Sequence, residues 1–293
     1  MSTARMVVPS QTEKATGISP AEFVRTADTA IEFGGVARRF GDVTAIENVD
    51  LRVPKGGFTV LIGPSGCGKS TLLSLAAGLD KPSEGFVTLL GREVTGPSRD
   101  TALIFQDHNL FPWMTTAENV AYGLRSRGMG RRDARDRARE LLTQVGLADY
   151  ADKPPKALSG GMRQRVALVR AFAIEPKVLL MDEPFGALDH QTRLFMQAYL
   201  LSTWKDSGAT VVMVTHDLDE ALLLADRLVL FTGSPGRIAD SIDIDMPRPR
   251  QRHDPALRAL ARRLEEHLAA ATGSSEFTEA EMERLRASLG PQE

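Results

Sequence analysis

Between residues 30 and 91 the chain alternates apolar and polar positions in several short runs. Val49-Asp50-Leu51-Arg52-Val53 is one of them, and its period of two predicts strands, partly antiparallel. Set among them is Phe58-Thr59-Val60-Leu61-Ile62, the pattern of a strand buried on both faces, leading into a glycine-rich turn. A helix-like run over residues 69–77 follows, and Gly78 stands where a helix stop is expected. Residues 115–175 read as mainly helical. From 131 to 146 one face is charged, while Ala134, Ala138, Leu141, Leu142 and Val145 form an apolar stripe. Pro154-Pro155 ends that stretch. A second helix starts near Ser159, with Val166, Val169, Ala173 and Ile174 at helical spacing. Two more apolar runs, 178–181 and 210–215, predict core strands of a parallel sheet covered by helices on both faces, and 228–231 predicts another.

The ends differ from this middle. Residues 1–28 are polar and read as a loose, flexible arm, although Ser19-Pro20-Ala21-Glu22 combines a capping box with proline at the first helical position. From Pro247 the composition changes. Asp254-Pro255 caps a basic amphipathic segment with Leu257, Leu260, Leu264 and Leu268 at helical spacing, and Thr278-Glu279-Ala280-Glu281 forms a further capping box. The expected organisation is an N-terminal arm (1–28), an α/β domain (29–246) with a helical subdomain at about 107–175, and a helical extension (247–293). That extension packs on its own domain, dimerises or regulates, with packing the default. The 293 residues carry 36 Lys and Arg against 38 Asp and Glu, so no basic field points to nucleic acid. The one cysteine, Cys67, excludes a disulfide framework. The longest apolar stretches are core-sized, and the first 17 residues lack the apolar centre of a signal peptide. These features predict a cytoplasmic protein that meets membranes through a partner.

The chemistry begins at Gly63-Pro64-Ser65-Gly66-Cys67-Gly68-Lys69-Ser70, with Thr71 next in the same helix start. This is the P-loop pattern between a strand and a helix: backbone N–H groups turn inward around phosphate oxygens, and the helix N-terminus faces the same anion. Lys69 is placed to reach the β- and γ-phosphates and Ser70 to ligate Mg²⁺. An apolar strand then delivers Asp182-Glu183 at its C-terminal end, the ligand edge of an open α/β sheet. Alone this is a weak signal. Downstream of a P-loop it reads as Asp182 holding Mg²⁺ and Glu183 polarising the attacking water as general base.

Leu158-Ser159-Gly160-Gly161-Met162-Arg163-Gln164-Arg165 supplies a second glycine-rich helix start, which one triphosphate in one chain does not need. With this signature the chain resembles the ATP-binding-cassette (ABC) ATPases over residues 30–240. The resemblance rests on the P-loop, Gln106 after a strand, Ser159-Gly160-Gly161, Asp182-Glu183, Ala187-Leu188-Asp189 and His216, in the family's order and spacing. It implies a P-loop NTPase core with a parallel sheet, an antiparallel β subdomain, a helical subdomain and here a helical C-terminal tail. It also implies a head-to-tail homodimer sandwiching two ATP molecules with Mg²⁺, each P-loop facing the other subunit's Ser159, Gly160 and Gly161. Gln106 would contact Mg²⁺ and the water, Asp189 would cross the interface, and His216 would contact the γ-phosphate. Phe40 sits where the family stacks an aromatic on adenine; the alternative is a core phenylalanine. Two departures stand out: Met162 replaces the commoner glutamine, and Gly186 a serine. Cys67 inside the loop leads us to expect that thiol alkylation blocks ATP binding by crowding the phosphates.

Three roles then compete: the energy subunit of a membrane importer, a soluble cassette of translation or repair, and a regulatory nucleotide-binding module. The stretch between Gln106 and Ser159 is too short for the coiled coil of the repair class, only one cassette is present, and Glu183 and His216 are intact. The importer is favoured. Asn109-Leu110-Phe111-Pro112-Trp113-Met114-Thr115, Met162, His190-Gln191-Thr192-Arg193 after Asp189, and Ser234-Pro235-Gly236-Arg237-Ile238 together resemble the nitrate, sulfonate and taurine importer ATPases. The partners so implied are integral-membrane permease subunits and, indirectly, a solute-binding protein, at the cytoplasmic face of the inner membrane. Residues 107–125 would receive the permease, unless Phe111, Pro112 and Trp113 merely cap the helical core.

Overall fold

The computed structural model describes residues 28–107 and 109–272, with side chains as far as Glu266 in the last helix. The expected N-terminal arm, apart from Asp28, and the capping box at Thr278 lie outside the described residues. Strands β1 (Thr29–Phe40), β2 (Val43–Pro54), β4 (Glu84–Leu89) and β5 (Arg92–Glu93) make one antiparallel sheet in the order β2-β1-β4-β5. Strands β3 (Phe58–Ile62), β6 (Thr101–Ile104), β7 (Val178–Asp182), β8 (Thr210–Thr215), β9 (Arg227–Thr232) and β10 (Arg237–Asp243) make the other, in the order β10-β9-β3-β8-β7-β6. Four of its five pairings are parallel, and at one edge β10 runs antiparallel to β9. The helices are α1 (Lys69–Ala76), α2 (Thr116–Ser126), α3 (Arg131–Gln144), α4 (Gly160–Ala173), α5 (His190–Ser207), α6 (Leu218–Leu224) and α7 (Pro255–Thr272).

The continuous apolar strands have a simple cause. Successive side chains of a strand point to opposite faces, and here each face has its own core. Leu179 and Met181 of β7, with Val211 and Met213 of β8, pack under helices α2 to α7. Val178 and Leu180, with Val212 and Val214, pack toward α1 and the antiparallel sheet. Each such fully buried residue contributes about 1.5–3 kcal/mol. β2 faces a core on one side only, so Val49, Leu51 and Val53 are buried while Asp50 and Arg52 are exposed, matching its alternation. The five stripe residues of 131–146 are all buried. α1 stops as expected: Gly78, at φ 71°, donates to the Leu75 carbonyl, and Leu79 donates to Ser74.

The described part of the C-terminal extension packs on its own domain. Leu257 and Leu264 of α7 are buried in the core under α6 and β9, and Leu260 packs against them. The approach to α7 is tied down by Arg250. Its guanidinium donates to the carbonyls of Leu222, Ala225, Ile244 and Met246, and burial lowers its pKa to about 10. No helix among the described residues is long and apolar enough to cross a membrane.

Candidate functional site

β3 delivers the chain to the P-loop and α1 takes it away, so Gly63 to Ser70 hangs on the C-terminal edge of the parallel sheet. Gly68 is required twice: its φ is 86°, and a Cβ there would lie 2.2 Å from Ile46 Cγ2. Pro64, Ser65 and Gly66 are exposed, whereas Lys69 is buried. The Lys69 ammonium donates to the Gly63 carbonyl at 2.9 Å and the Pro64 carbonyl at 2.7 Å, so the loop curls around its own cation. Thr71 is half-buried in the first turn of α1. Cys67 corrects an expectation. Its side chain is 1% exposed and belongs to the core beneath the loop. The thiol is covered by the folded chain, and the Lys69 ammonium donates to its Sγ at 3.5 Å from the loop side.

The loop is braced from behind by Gly236, which the sequence offers only as a sub-family mark. Gly236 N–H donates to the Ala45 carbonyl at 2.9 Å, and Glu47 N–H donates to the Gly236 carbonyl at 3.0 Å. A Cβ at 236 would lie 1.8 Å from the Cys67 carbonyl oxygen. Arg237 pairs with Glu47 across the same junction.

β7 ends at Asp182 beside the P-loop. Burial raises the Asp182 carboxyl above the ordinary range; the nearby Ser70 hydroxyl opposes this, the Glu183 charge adds to it, and Lys69 opposes it. Glu183 takes the left-handed conformation at φ 46°, a strained state for a residue with a side chain, and its N–H donates to Val214 of β8. Its carboxylate gathers two groups from distant segments. Gln106, just after β6, donates through Nε2 to Glu183 Oε2 at 3.4 Å, and His216, just after β8, meets Oε1 through Nδ1 at 3.2 Å. Three side chains from three loops thus converge at the ends of adjacent strands.

The second glycine-rich helix start is separate in construction. Ser159 caps α4, its hydroxyl accepting from Met162 N–H at 3.2 Å. Gly160 and Gly161 open the helix, and a Cβ at Gly161 would touch Leu188 at 3.4 Å. Asp189 caps α5, accepting from the N–H and hydroxyl of Thr192, which hold its carboxyl below the usual range. Gln164, buried in α4, donates to the Pro184 carbonyl and so ties the signature helix to the Asp182-Glu183 turn.

With this geometry in hand, comparison with known proteins is decisive. The family model described as "ABC transporter" matches residues 46–186. The aliphatic sulfonates import ATP-binding protein SsuB 2 of Pseudomonas aeruginosa is 47% identical over 226 residues, covering 77% of this chain and 80% of that protein. The nitrate import ATP-binding protein NrtD of a Synechocystis strain is 45% identical over 207 residues, covering 71% and 78%. A solved dimer of the ATP-binding cassette MJ0796 in a post-hydrolysis state, bound to ADP and Pi, superposes with a TM-score of 0.68 at 32% identity, over 74% of this chain and all of that one. The chain belongs to the ABC transporter family.

Two exposed aromatic features of this ABC ATPase are now explicable as surfaces rather than core. Phe40 is 49% exposed, with the Arg38 guanidinium 4.3 Å from its ring centre, so it is not a core phenylalanine. Trp113 is 76% exposed, which removes the reading of it as a cap on the helical core. Phe111 behaves differently: half-buried, it packs on Trp113 and Tyr122, with ring centres 5.5 and 4.9 Å away. Arg170 of α4 donates to the Asn109 carbonyl at 2.8 Å, and burial lowers its pKa from the usual arginine value. Arg170 is a contributor the sequence did not single out, and Gln164 and Gly236 stood in quoted motifs without any sign of their bracing role. Each is a buttress whose partner lies 20 or more positions away or on another element, and no local pattern signals that.

Proposed function

We propose that this chain is the ATP-hydrolysing subunit of an importer for nitrate, a sulfonate, taurine or a similar small solute, acting as a head-to-tail pair with a second copy beneath permease subunits. The convergence of Gln106 and His216 on Glu183, next to Ser70 and Asp182, carries this reading. Glu183 is the general base: it takes the proton of the water that attacks the γ-phosphorus, and its two neighbours fix the carboxylate. Lys69 exchanges the loop carbonyls for phosphate oxygens, which as charged partners bind it more strongly. His216 contacts the γ-phosphate, and Phe40 stacks on adenine.

The donor set at Ser70 and Asp182 suits Mg²⁺, a hard ion that takes one or two protein oxygens and completes its shell with phosphate and water. Among the described residues no cluster of three or more His, Cys, Asp or Glu offers a self-contained metal site. When bound, Mg²⁺ neutralises phosphate charge. The second copy supplies Ser159, Gly160 and Gly161 to the far side of the nucleotide and Asp189 to the interface, a reading supported by the dimeric cassette of similar fold. The exposed Trp113 belongs to the surface that receives the permease, at the cytoplasmic face of the membrane.

Glu183→Gln tests the chemistry. It keeps size and hydrogen bonding but not basicity, so turnover falls about 10²–10⁴-fold while ATP still binds and a closed dimer accumulates in gel filtration. Turnover at the wild-type rate with ATP bound removes Glu183 as the base. The solute is tested by growth of a deletion strain on single sulfur and nitrogen sources. Loss on sulfonates or taurine alone assigns a sulfur importer, loss on nitrate alone a nitrogen importer, and normal growth on all of them moves the solute outside this group.

A further inference from the structure

His216 has an exposure problem. Its side chain is 67% exposed, and Glu183 is its one side-chain partner given by the geometry. A catalytic group needs its rotamer held to fractions of an ångström by supporting contacts, and an imidazole two-thirds exposed among the described residues receives little from its own surroundings. Its backbone neighbours are held instead.

Thr215, before it, is 3% exposed, and its hydroxyl accepts from Asp217 N–H at 3.1 Å. Asp217, after it, caps α6 by accepting from Glu220 N–H at 2.9 Å. Asp217 and Glu220 are both gripped from α5. Gln197, 4% exposed, donates through Nε2 to Glu220 Oε1 at 2.9 Å, with Glu220 itself 3% exposed. One turn earlier, Arg193 lies 3.6 Å from Asp217 Oδ2 and donates to the Leu188 carbonyl at 3.3 Å. Arg193 and Gln197, at i and i+4, share one face of α5. That helix is the one Asp189 caps.

Burying a carboxylate and an amide together costs desolvation that an apolar pair of the same volume avoids. What the polar pair supplies is direction: each donor has one acceptor at one distance. We infer that Glu220, with Gln197 and Arg193, forms a positioning network that fixes His216 against Glu183 and ties it to the 187–189 turn at the start of α5. A displacement of Asp189 is then transmitted to His216 through two polar latches, without passing through the P-loop. The inference rests on the reading of His216 as a γ-phosphate contact.

The test uses the purified full chain with ATP and Mg²⁺, and compares Glu220→Ala, Glu220→Gln, Gln197→Leu and Arg193→Met with His216→Ala. In Glu220→Ala, kcat falls about tenfold while KM for ATP stays within about twofold, because misplacement of a transition-state contact spares ground-state binding. Glu220→Gln, which still accepts one hydrogen bond, recovers to within about threefold of wild type. The imidazole NMR resonance of His216 moves in Glu220→Ala and Gln197→Leu, while those of His190 and His253 stay. If Glu220→Ala does not fold, Gln197→Leu and Arg193→Met read the same contacts from the α5 side. Wild-type kcat in His216→Ala overturns the site reading itself. An inactive His216→Ala beside latch variants with wild-type kcat and an unmoved His216 resonance overturns the positioning role alone. Equal shifts of all histidine resonances with a matching loss of melting temperature also overturn it, since that is general destabilisation.

Discussion

The two edges of the parallel sheet are built from the same strands and differ in what their loops bring together. At the C-terminal ends of β3, β7 and β8 the chain places Lys69, Asp182, Glu183 and His216, and one carboxylate collects groups from segments 77 and 33 positions away. At the N-terminal ends of the same strands lies a cavity of about 910 Å³, lined among others by Lys55, Arg137, Lys177, Tyr199 and Asp206. It is roomy, and two of its lining cations are paired with single neighbours: Lys177 with Asp100 at 3.1 Å, Arg137 with Glu140 at 3.0 Å. Volume therefore does not mark the working edge; convergence of unlike groups on one atom pair does. A reaction needs several unlike groups aimed at one carboxylate, whereas the cavity's exposed pairs, Arg137–Glu140 within α3 and Lys177–Asp100 between two segments, each join one cation to one anion and no more.

Gly236→Ala tests whether the working edge depends on its brace, and has the largest effect of the variants that touch no reacting group. The new Cβ would meet the backbone oxygens of Cys67 and Ala45 at 1.8 and 3.3 Å, and backbone cannot swing aside as a side-chain tip can. Either the turn leaves, breaking the bonds to Ala45 and Glu47, or the base of the P-loop shifts. Overpacking of this kind costs about 1–3 kcal/mol, and about 1.4 kcal/mol expressed at the nucleotide is tenfold in affinity. ATP affinity should fall about tenfold or more by titration with a fluorescent analogue. A fall in melting temperature with affinity unchanged would make the brace a scaffold with no bearing on the nucleotide edge.

The next effect is one of pH. Burial raises the Glu220 carboxyl above its ordinary range; the nearby Thr215 hydroxyl and the bond from Gln197 oppose this, the Asp217 charge adds to it, and Arg193 opposes it. With the folded value above the unfolded one, this group's contribution to stability is full below the unfolded pKa. It is lost as pH rises through the folded pKa. Glutamine at 220 does not titrate. Wild type should therefore lose stability relative to Glu220→Gln in urea unfolding as pH rises from about 4 to about 8. A flat difference would mean the carboxyl is solvated, and the working edge would lose its buried support.

The legibility of these parts followed their locality. The P-loop was plain because eight consecutive residues carry it, and the apolar strands because two cores force every position to be apolar. Gln106, Asp189 and His216 were reached only by family resemblance, since each is an ordinary loop residue until its partners are in place. The Cys67 side chain was misjudged because a loop has no periodicity from which to read direction. α5 went unmarked because only Met196, Gln197 and Leu200 of it are buried, too few for a stripe, and one of those is polar. Gly236 was visible as a residue but not as a brace, because Cys67 and Ala45 are far from it in sequence.

The smallest expected effect belongs to the other edge, and it is the one that most sharply separates the two. Lys177→Met removes a cation from the cavity lining and breaks its pair with Asp100, both partners being well exposed. Exposed pairs contribute about 0–1 kcal/mol, because water screens the charges and two long side chains lose freedom in meeting. No group that converges on Glu183 touches this edge. Lys177→Met should therefore leave kcat and KM for ATP within about twofold of wild type and move unfolding by less than about 1 kcal/mol. A tenfold loss of turnover would break the comparison, because it would mean that the cavity senses or sets the state of the opposite edge across the length of the strands.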